Sequence, residues 1–257
     1  MLDWNAYLLA LGLCVLIGLG GWLYSLRHDD VSGVDSLWSL MFLAVAVTYF
    51  LMAGNPGGRA ALVLLLVAAW SIRLSWYITR RNHGEGEDHR YQAIRANNEP
   101  GFRFKSLYIV YGLQALLAWF IALPRVAAMS GEAPLGWLDT AGVALWLAGM
   151  FFEVVGDKQL KEFRANAGNE GTVLDTGLWR YTRHPNYFGE CVLWWGFFLL
   201  AVAAGGWWTI LSPLLMTVLL LRVSGVALLE KDIAERRPAY ADYIRRTNAF
   251  LPGPARR

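Results

Sequence analysis

The stretch Arg180–Glu190, RYTRHPNYFGE, runs directly into residues 191–204, CVLWWGFFLLAVAA. The first is dense in charge, aromatics and turn residues. The second is oily enough to enter a bilayer. Segments of the second kind recur from one end of the chain to the other, and this decides the fold class. The reading is an all-α, polytopic transmembrane helical bundle rather than a soluble domain with an anchor. Composition agrees: 56% of the 257 residues are hydrophobic and 17% charged, with a mean hydropathy of +0.35. Soluble domains are less apolar and more charged. Thirteen Trp, eleven Tyr and twelve Phe suit a chain with many membrane interfaces to mark.

About seven spans are predicted, over residues 7–26, 37–53, 60–78, 107–123, 138–155, 191–204 and 207–223. Each approaches the ~20 residues that cross a ~30 Å hydrocarbon core. The last two are short, split by Gly205 and Gly206, and Pro213 invites a kink in the seventh. The N-terminus lacks the basic start of a signal peptide, since Asp3 is its first charge, so it reads as a retained first helix. Arg80, Arg81, Arg90, Arg95, Arg103 and Lys105 follow span three. Lys158, Lys161, Arg164, Arg180 and Arg183 follow span five, and the tail adds Lys231, Arg236, Arg237, Arg245 and Arg246. The alternate loops hold little beyond Arg59 and Arg125. The positive-inside bias therefore predicts the N-terminus outside and the C-terminus in the cytoplasm. Basic residues at helix ends are explained by topology, so nucleic acid is not an expected partner. Cys14 and Cys191 sit in or at apolar runs and read as small buried hydrophobes.

The polar chemistry gathers on the cytoplasmic side in four clusters. In the first, Arg73, Tyr77 and Arg80 share a face of span three. Beyond them Asn82–Asp88 reads as a structured capping loop, because its acids and histidines lack metal-ligand spacing. In the second, Glu153 lies inside the end of span five, and Asp157, Lys161 and Arg164 follow on a continuing helix. Lys161 and Arg164 suit an anionic group, and Asp157 suits ribose or amide donors. In the third, Trp179, Arg180 and Tyr181 lead into Arg183-His184-Pro185. Pro185 fits the first turn of span six, Asn186 and Tyr187 follow it, and free N–H groups there favour an anion. Glu190 lies one turn on, and Gly189 permits close approach of a helix or ligand. The fourth runs from Arg222 through Glu230, Lys231 and Asp232 to Pro238, with Tyr240 and Tyr243 on a short helix beyond. Together they describe a polar pocket that opens to the cytoplasm, with no dinucleotide fingerprint, P-loop or nucleophile triad.

RRNHGEGEDHRY, DKQLKEFR, GLWRYTRHPNYFGE, LLRVSGVALLEKD and RRPAYADYIRRT give the chain its resemblance to the bacterial DUF1295 proteins. These stand within a wider group of steroid 5-alpha-reductase-like and sterol-reductase-like membrane proteins. The resemblance covers nearly the whole chain and is strongest beyond residue 70. It implies one integral membrane domain over 1–257 in a bacterial inner membrane, with N-terminal spans and a loop in 1–105 and the cofactor-binding spans and tail in 106–257. It implies NADPH as cofactor, hydride transfer to an enone of a steroid-like or isoprenoid lipid, and surrounding membrane lipids as partners. By motif position it implies a nucleotide site from Asp157, Lys161, Arg164, Arg180, Tyr181, Arg183, His184, Asn186, Tyr187, Arg222, Glu230 and Tyr243. The steroid reductases pair a Gln-Glu in span two with a Tyr in span three to polarise the carbonyl. Span two here has neither Gln nor Glu. Tyr77 is then the favoured acid, because Arg73 and Arg80 on its face would stabilise a phenolate. Glu153 and Glu190 are the alternative acids. The RHPNYFGE stretch is also shared with isoprenylcysteine and phospholipid methyltransferases, which use S-adenosylmethionine. DKQLKEFR favours the reductase, since Lys161 and Arg164 suit a pyrophosphate. A non-enzymatic scaffold is a third reading, in which buried charges would go unexplained.

Overall fold

The computed structural model describes residues 3–54, 56–131, 133–223, 226, 230 and 239–255. All regular structure among them is helical. Six helical tracts are long and apolar enough to cross a membrane. They are α1 (Trp4–His28), α2 (Val34–Met52), α3 (Gly58–Asn82), the tract Phe102–Met129, α8 (Trp137–Ala165) and α9 (Pro185–Ala203). Phe102–Met129 is segmented into α5 (Phe102–Ser106), a π-helical stretch, α6 (Leu113–Ile121) and α7 (Leu123–Met129). A short helix, α4 (His89–Ala96), precedes it. The seventh apolar stretch, Trp207–Val223, is shorter. Its core is α10 (Leu211–Val218), in which Pro213 sits in the first turn and forfeits no hydrogen bond. The tail carries α11 (Ala239–Arg246). Lys231, Asp232 and Pro238 lie outside the described residues.

The chain divides into two compact units, residues 1–135 with 201–209, and residues 136–200 with 210–257. In the first, α2 packs against both α1 and α3, and α6 closes onto α1 and α2. Phe42, Val45, Val67, Trp70, Ala118 and Ile121 are fully buried there, while Leu8, Leu16, Leu23 and Leu65 point outward. An apolar exterior around a packed interior is what a bilayer solvent demands. Asp3 starts α1 by accepting from the Asn5 and Ala6 amides at 2.9 and 3.1 Å.

The loops of this unit pair by side. The Glu87 carboxylate accepts from Arg95, which also reaches Asp29 at 2.9 Å. Arg90 bridges Asp35 at 2.7 Å and Asp88 at 3.0 Å, and the Tyr91 hydroxyl donates to Asp35 at 2.6 Å. The Asp88 carboxyl is held below its ordinary range: burial would raise it, but Arg90 outweighs burial. The acids of the loop after α1 are thus countercharges for the arginines after α3, so these two loops share one side. On the other side, Arg59 donates to the carbonyls of Ala133 and Pro134 at 2.9 and 3.0 Å. The turn at Gly206 packs on Ala127.

Arg125 is not in a loop, as the sequence reading had it. It is fully buried in α7, with its guanidinium 4.8 Å from the Phe42 ring centre and 5.5 Å from that of Trp70. A cation held over aromatic faces is stabilised by the ring quadrupoles.

The second unit is organised by glycine. Gly142, Gly149 and Gly156 recur every seventh residue on α8, and Gly189 and Gly196 do so on α9. A Cβ on Gly149 would lie 2.5 Å from the Gly189 carbonyl oxygen, and one on Gly196 2.7 Å from that of Gly142. Gly156 meets Pro185. The helices therefore run antiparallel with their backbones in contact, which only residues without side chains permit. A seven-residue spacing keeps such a seam facing its partner. α10 runs back along α9, where the Trp195 indole and Cys191 meet the Thr217 hydroxyl at 3.3 Å.

Candidate functional site

The site is built where the end of α8 meets the start of α9. Pro185 opens α9, with the His184 carbonyl taking its first amide, that of Phe188, at 3.0 Å. The close α8–α9 seam holds Glu153 against Gly189 and sets Asp157 beside Asn186. The Asn186 amide donates to the Asp157 carboxylate at 3.1 Å. Asp157 and Glu153 are 4% and 2% exposed, so two carboxylates sit deep within one turn of each other on α8. Lys161 and Arg164 continue that helix one and two turns on, and both are exposed. Glu190 and Tyr187 are half-buried on α9, and Arg180, Tyr181 and Arg222 are exposed.

The loop before α9 is also pinned to α8. The Trp179 indole donates to the Gly156 carbonyl at 3.2 Å, and the Leu178 amide to the Gln159 side chain at 3.0 Å. Gly177 adopts a left-handed φ of 59°, a backbone conformation that favours glycine, and the Gln159 amide packs against it.

Arg183, His184, Glu230 and Tyr243 form a joint between this loop and the tail. Arg183 grips Glu230 with both ends of its guanidinium at 2.7 Å and donates to the carbonyls of Ile244 and Thr247. The His184 Nε2 lies 2.8 Å from Glu230, and the Tyr243 hydroxyl donates to the Trp179 carbonyl. Burial would raise the Glu230 carboxyl, but Arg183 and His184 together pull it down to about 2. Burial raises the Tyr243 phenol well above its ordinary value. The Thr182 hydroxyl completes the joint by donating to the Phe250 carbonyl at 2.8 Å. The side chains that the family motif would lend to a nucleotide thus fall into two groups. Asp157, Lys161, Arg164, Arg180, Tyr181, Asn186, Tyr187 and Arg222 lie outside this joint, and the other four make it.

Tyr77 lies in the first unit, half-buried on α3, with the Arg73 guanidinium 5.5 Å from its ring centre. The Arg80 guanidinium stacks on Trp76, 4.4 Å from its ring centre. The other tyrosine of spans two and three, Tyr49, spends its hydroxyl on the Asp3 carbonyl at 2.8 Å. Sequence reasoning missed Trp179 and Gln159 as organisers of the site, because each bonds to a partner about twenty residues away.

A family model described as a protein of unknown function, DUF1295, matches residues 21–247. An uncharacterized protein of Schizosaccharomyces pombe is 26% identical over 223 residues, covering 75% of this chain and 64% of its own length. The 3-oxo-5-alpha-steroid 4-dehydrogenase 1 of Mus musculus is 39% identical over 56 residues, 22% of each chain. The chain thus spans less than two thirds of either relative. No solved structure matches it. With the model match running from α1 through α11, the chain belongs to the DUF1295 family.

Proposed function

We propose that the chain is an NADPH-dependent membrane reductase that delivers hydride to the activated C=C bond of a hydrophobic enone, of steroid-like or isoprenoid type. The observation that carries this reading is the buried Asp157 carboxylate paired with the half-buried Asn186 at the opening of α9, with exposed Lys161 and Arg164 one and two turns beyond Asp157 on α8. A nucleotide needs that combination: acceptors for ribose or amide donors, and cations for a pyrophosphate. The donor set fits the group without the Arg183–Glu230 joint, whose role is to hold the loop and tail in place. The partial similarity to a steroid 4-dehydrogenase supports the reaction class. When bound, NADPH supplies the hydride; the protein positions the groups and polarises the acceptor. For the proton and the carbonyl oxygen, Tyr77, Glu153 and Glu190 are the proposed acids. The basic loops would face the cytoplasm of a bacterial inner membrane, following the positive-inside bias.

Binding tests the reading. NADPH, NADH and S-adenosylmethionine are titrated calorimetrically into the detergent-purified chain, its Asp157→Ala variant and its Arg164→Ala variant. The expected result is nicotinamide nucleotide binding that weakens about tenfold or more in each variant, the loss of one charge-assisted contact. Binding of S-adenosylmethionine alone would move the chemistry to methyl transfer.

A further inference from the structure

On the surface of the second unit a cavity of about 340 Å³ opens between the loop before α9 and the tail, lined by Asp175, Thr176, Arg180, Arg246 and Thr247 among others. Its charges are unequally committed. The Arg246 guanidinium donates to Asp175 at 2.6 Å and lies 3.2 Å from Asp242, so two carboxylates share it. Arg180 is exposed and makes no ion pair with a carboxylate among the described residues. The cavity's uncommitted charge is therefore positive, flanked by the side chains of Thr176 and Thr247. Its wall is rigid, because the Gly177–Arg180 turn is fixed to α8 at Gly156 and Gln159, on either side of Asp157.

We infer that this cavity takes a phosphate monoester, with Arg180 as its charge partner. Resting on the nucleotide reading above, that monoester is the 2′-phosphate that distinguishes NADPH from NADH. The chemistry matches: a dianion on a primary or secondary alcohol needs a guanidinium and hydroxyl donors, and a planar guanidinium meets phosphate oxygens two at a time. The volume lies at the lower end of the roughly 300–1,000 Å³ of small-molecule sites, enough for the phosphate and its sugar. The same chemistry is offered by a monoester lipid headgroup, phosphatidic acid.

The test uses the full chain in detergent and in phosphatidylcholine nanodiscs with and without phosphatidic acid. Two variants are compared, Arg180→Gln and Arg245→Gln. The second removes an equal charge from an exposed residue of α11 that does not line the cavity. Expected is a loss of NADPH affinity of about tenfold in Arg180→Gln, with NADH within about twofold and Arg245→Gln unchanged. Equal weakening of both nucleotides, or of neither, overturns the assignment. If the wild-type chain binds neither nucleotide, the reductase reading falls and the cavity is judged on phosphatidic acid. Uptake lost in Arg180→Gln then supports a phosphate monoester site filled by lipid, and no Arg180-dependent uptake overturns it.

Discussion

Gly149→Ala destabilises the second unit by about 3 kcal/mol, the upper part of the range for overpacking a closed interface. One methyl group has this effect because of what it would strike. Its Cβ would lie 2.5 Å from the Gly189 carbonyl oxygen, 2.6 Å from the Leu193 amide nitrogen and 2.8 Å from the Leu193 Cβ. None of these belongs to a flexible side-chain end, so relief requires moving α9 as a body, and with it Asn186 relative to Asp157. Gly12→Ala is the control. Nothing lies within 4 Å of a Cβ at Gly12, and alanine improves helix propensity by about 1 kcal/mol at most. Thermal unfolding in detergent separates the two. Equal melting temperatures for both variants would mean that the α8–α9 seam is looser than described.

Glu230→Ala costs about 3–5 kcal/mol, the usual loss when one member of a buried ion pair is removed. Arg183 and His184 are 7% and 6% exposed in their side chains, so the variant leaves a guanidinium buried without its carboxylate. The pH dependence of the wild type carries a sign. The folded carboxyl titrates at about 2, below its ordinary 4.5, so the unfolded chain binds this proton more readily. The stability this group contributes is complete above about pH 4.5 and is lost as pH falls through about 2. Protease cleavage of the tail, followed between neutral pH and pH 3, reads this directly. Cleavage should accelerate in Glu230→Ala at neutral pH and in the wild type only on acidification. A tail equally protected in both at neutral pH would remove the joint from the account.

Hydropathy made the spans legible, because length and apolarity are local properties that a bilayer enforces. The helical extensions around the α8–α9 loop were legible as well. The helix at α8 runs on to Ala165 and α9 begins at Pro185, since charged residues extend a helix beyond the hydrocarbon without interrupting it. Pro185 as a helix start was legible for a reason that needs no partner: its fixed φ and missing donor suit that position. The joint was not, because Arg183 and Glu230 are 47 residues apart and each alone reads equally well as a ligand for a phosphate or a ribose. Arg125 misled for a similar reason. Placed after an apolar run it reads as a loop charge, and only the rings of Phe42 and Trp70 explain its burial. The glycine seam stood in plain spacing at 142, 149 and 156. Read one at a time, those glycines are helix weaknesses; read at a period of seven, they are a contact surface.

The most direct test of the central claim is turnover. The chain is reconstituted in vesicles with NADPH and a series of lipophilic enones, and nicotinamide absorbance is followed while the lipid product is analysed for a saturated C–C bond. The expected result is NADPH oxidation that requires an enone, saturates that bond and falls about tenfold or more in Asp157→Ala at limiting NADPH. Methyl transfer from labelled S-adenosylmethionine to a lipid, with no enone-dependent NADPH oxidation, would contradict it.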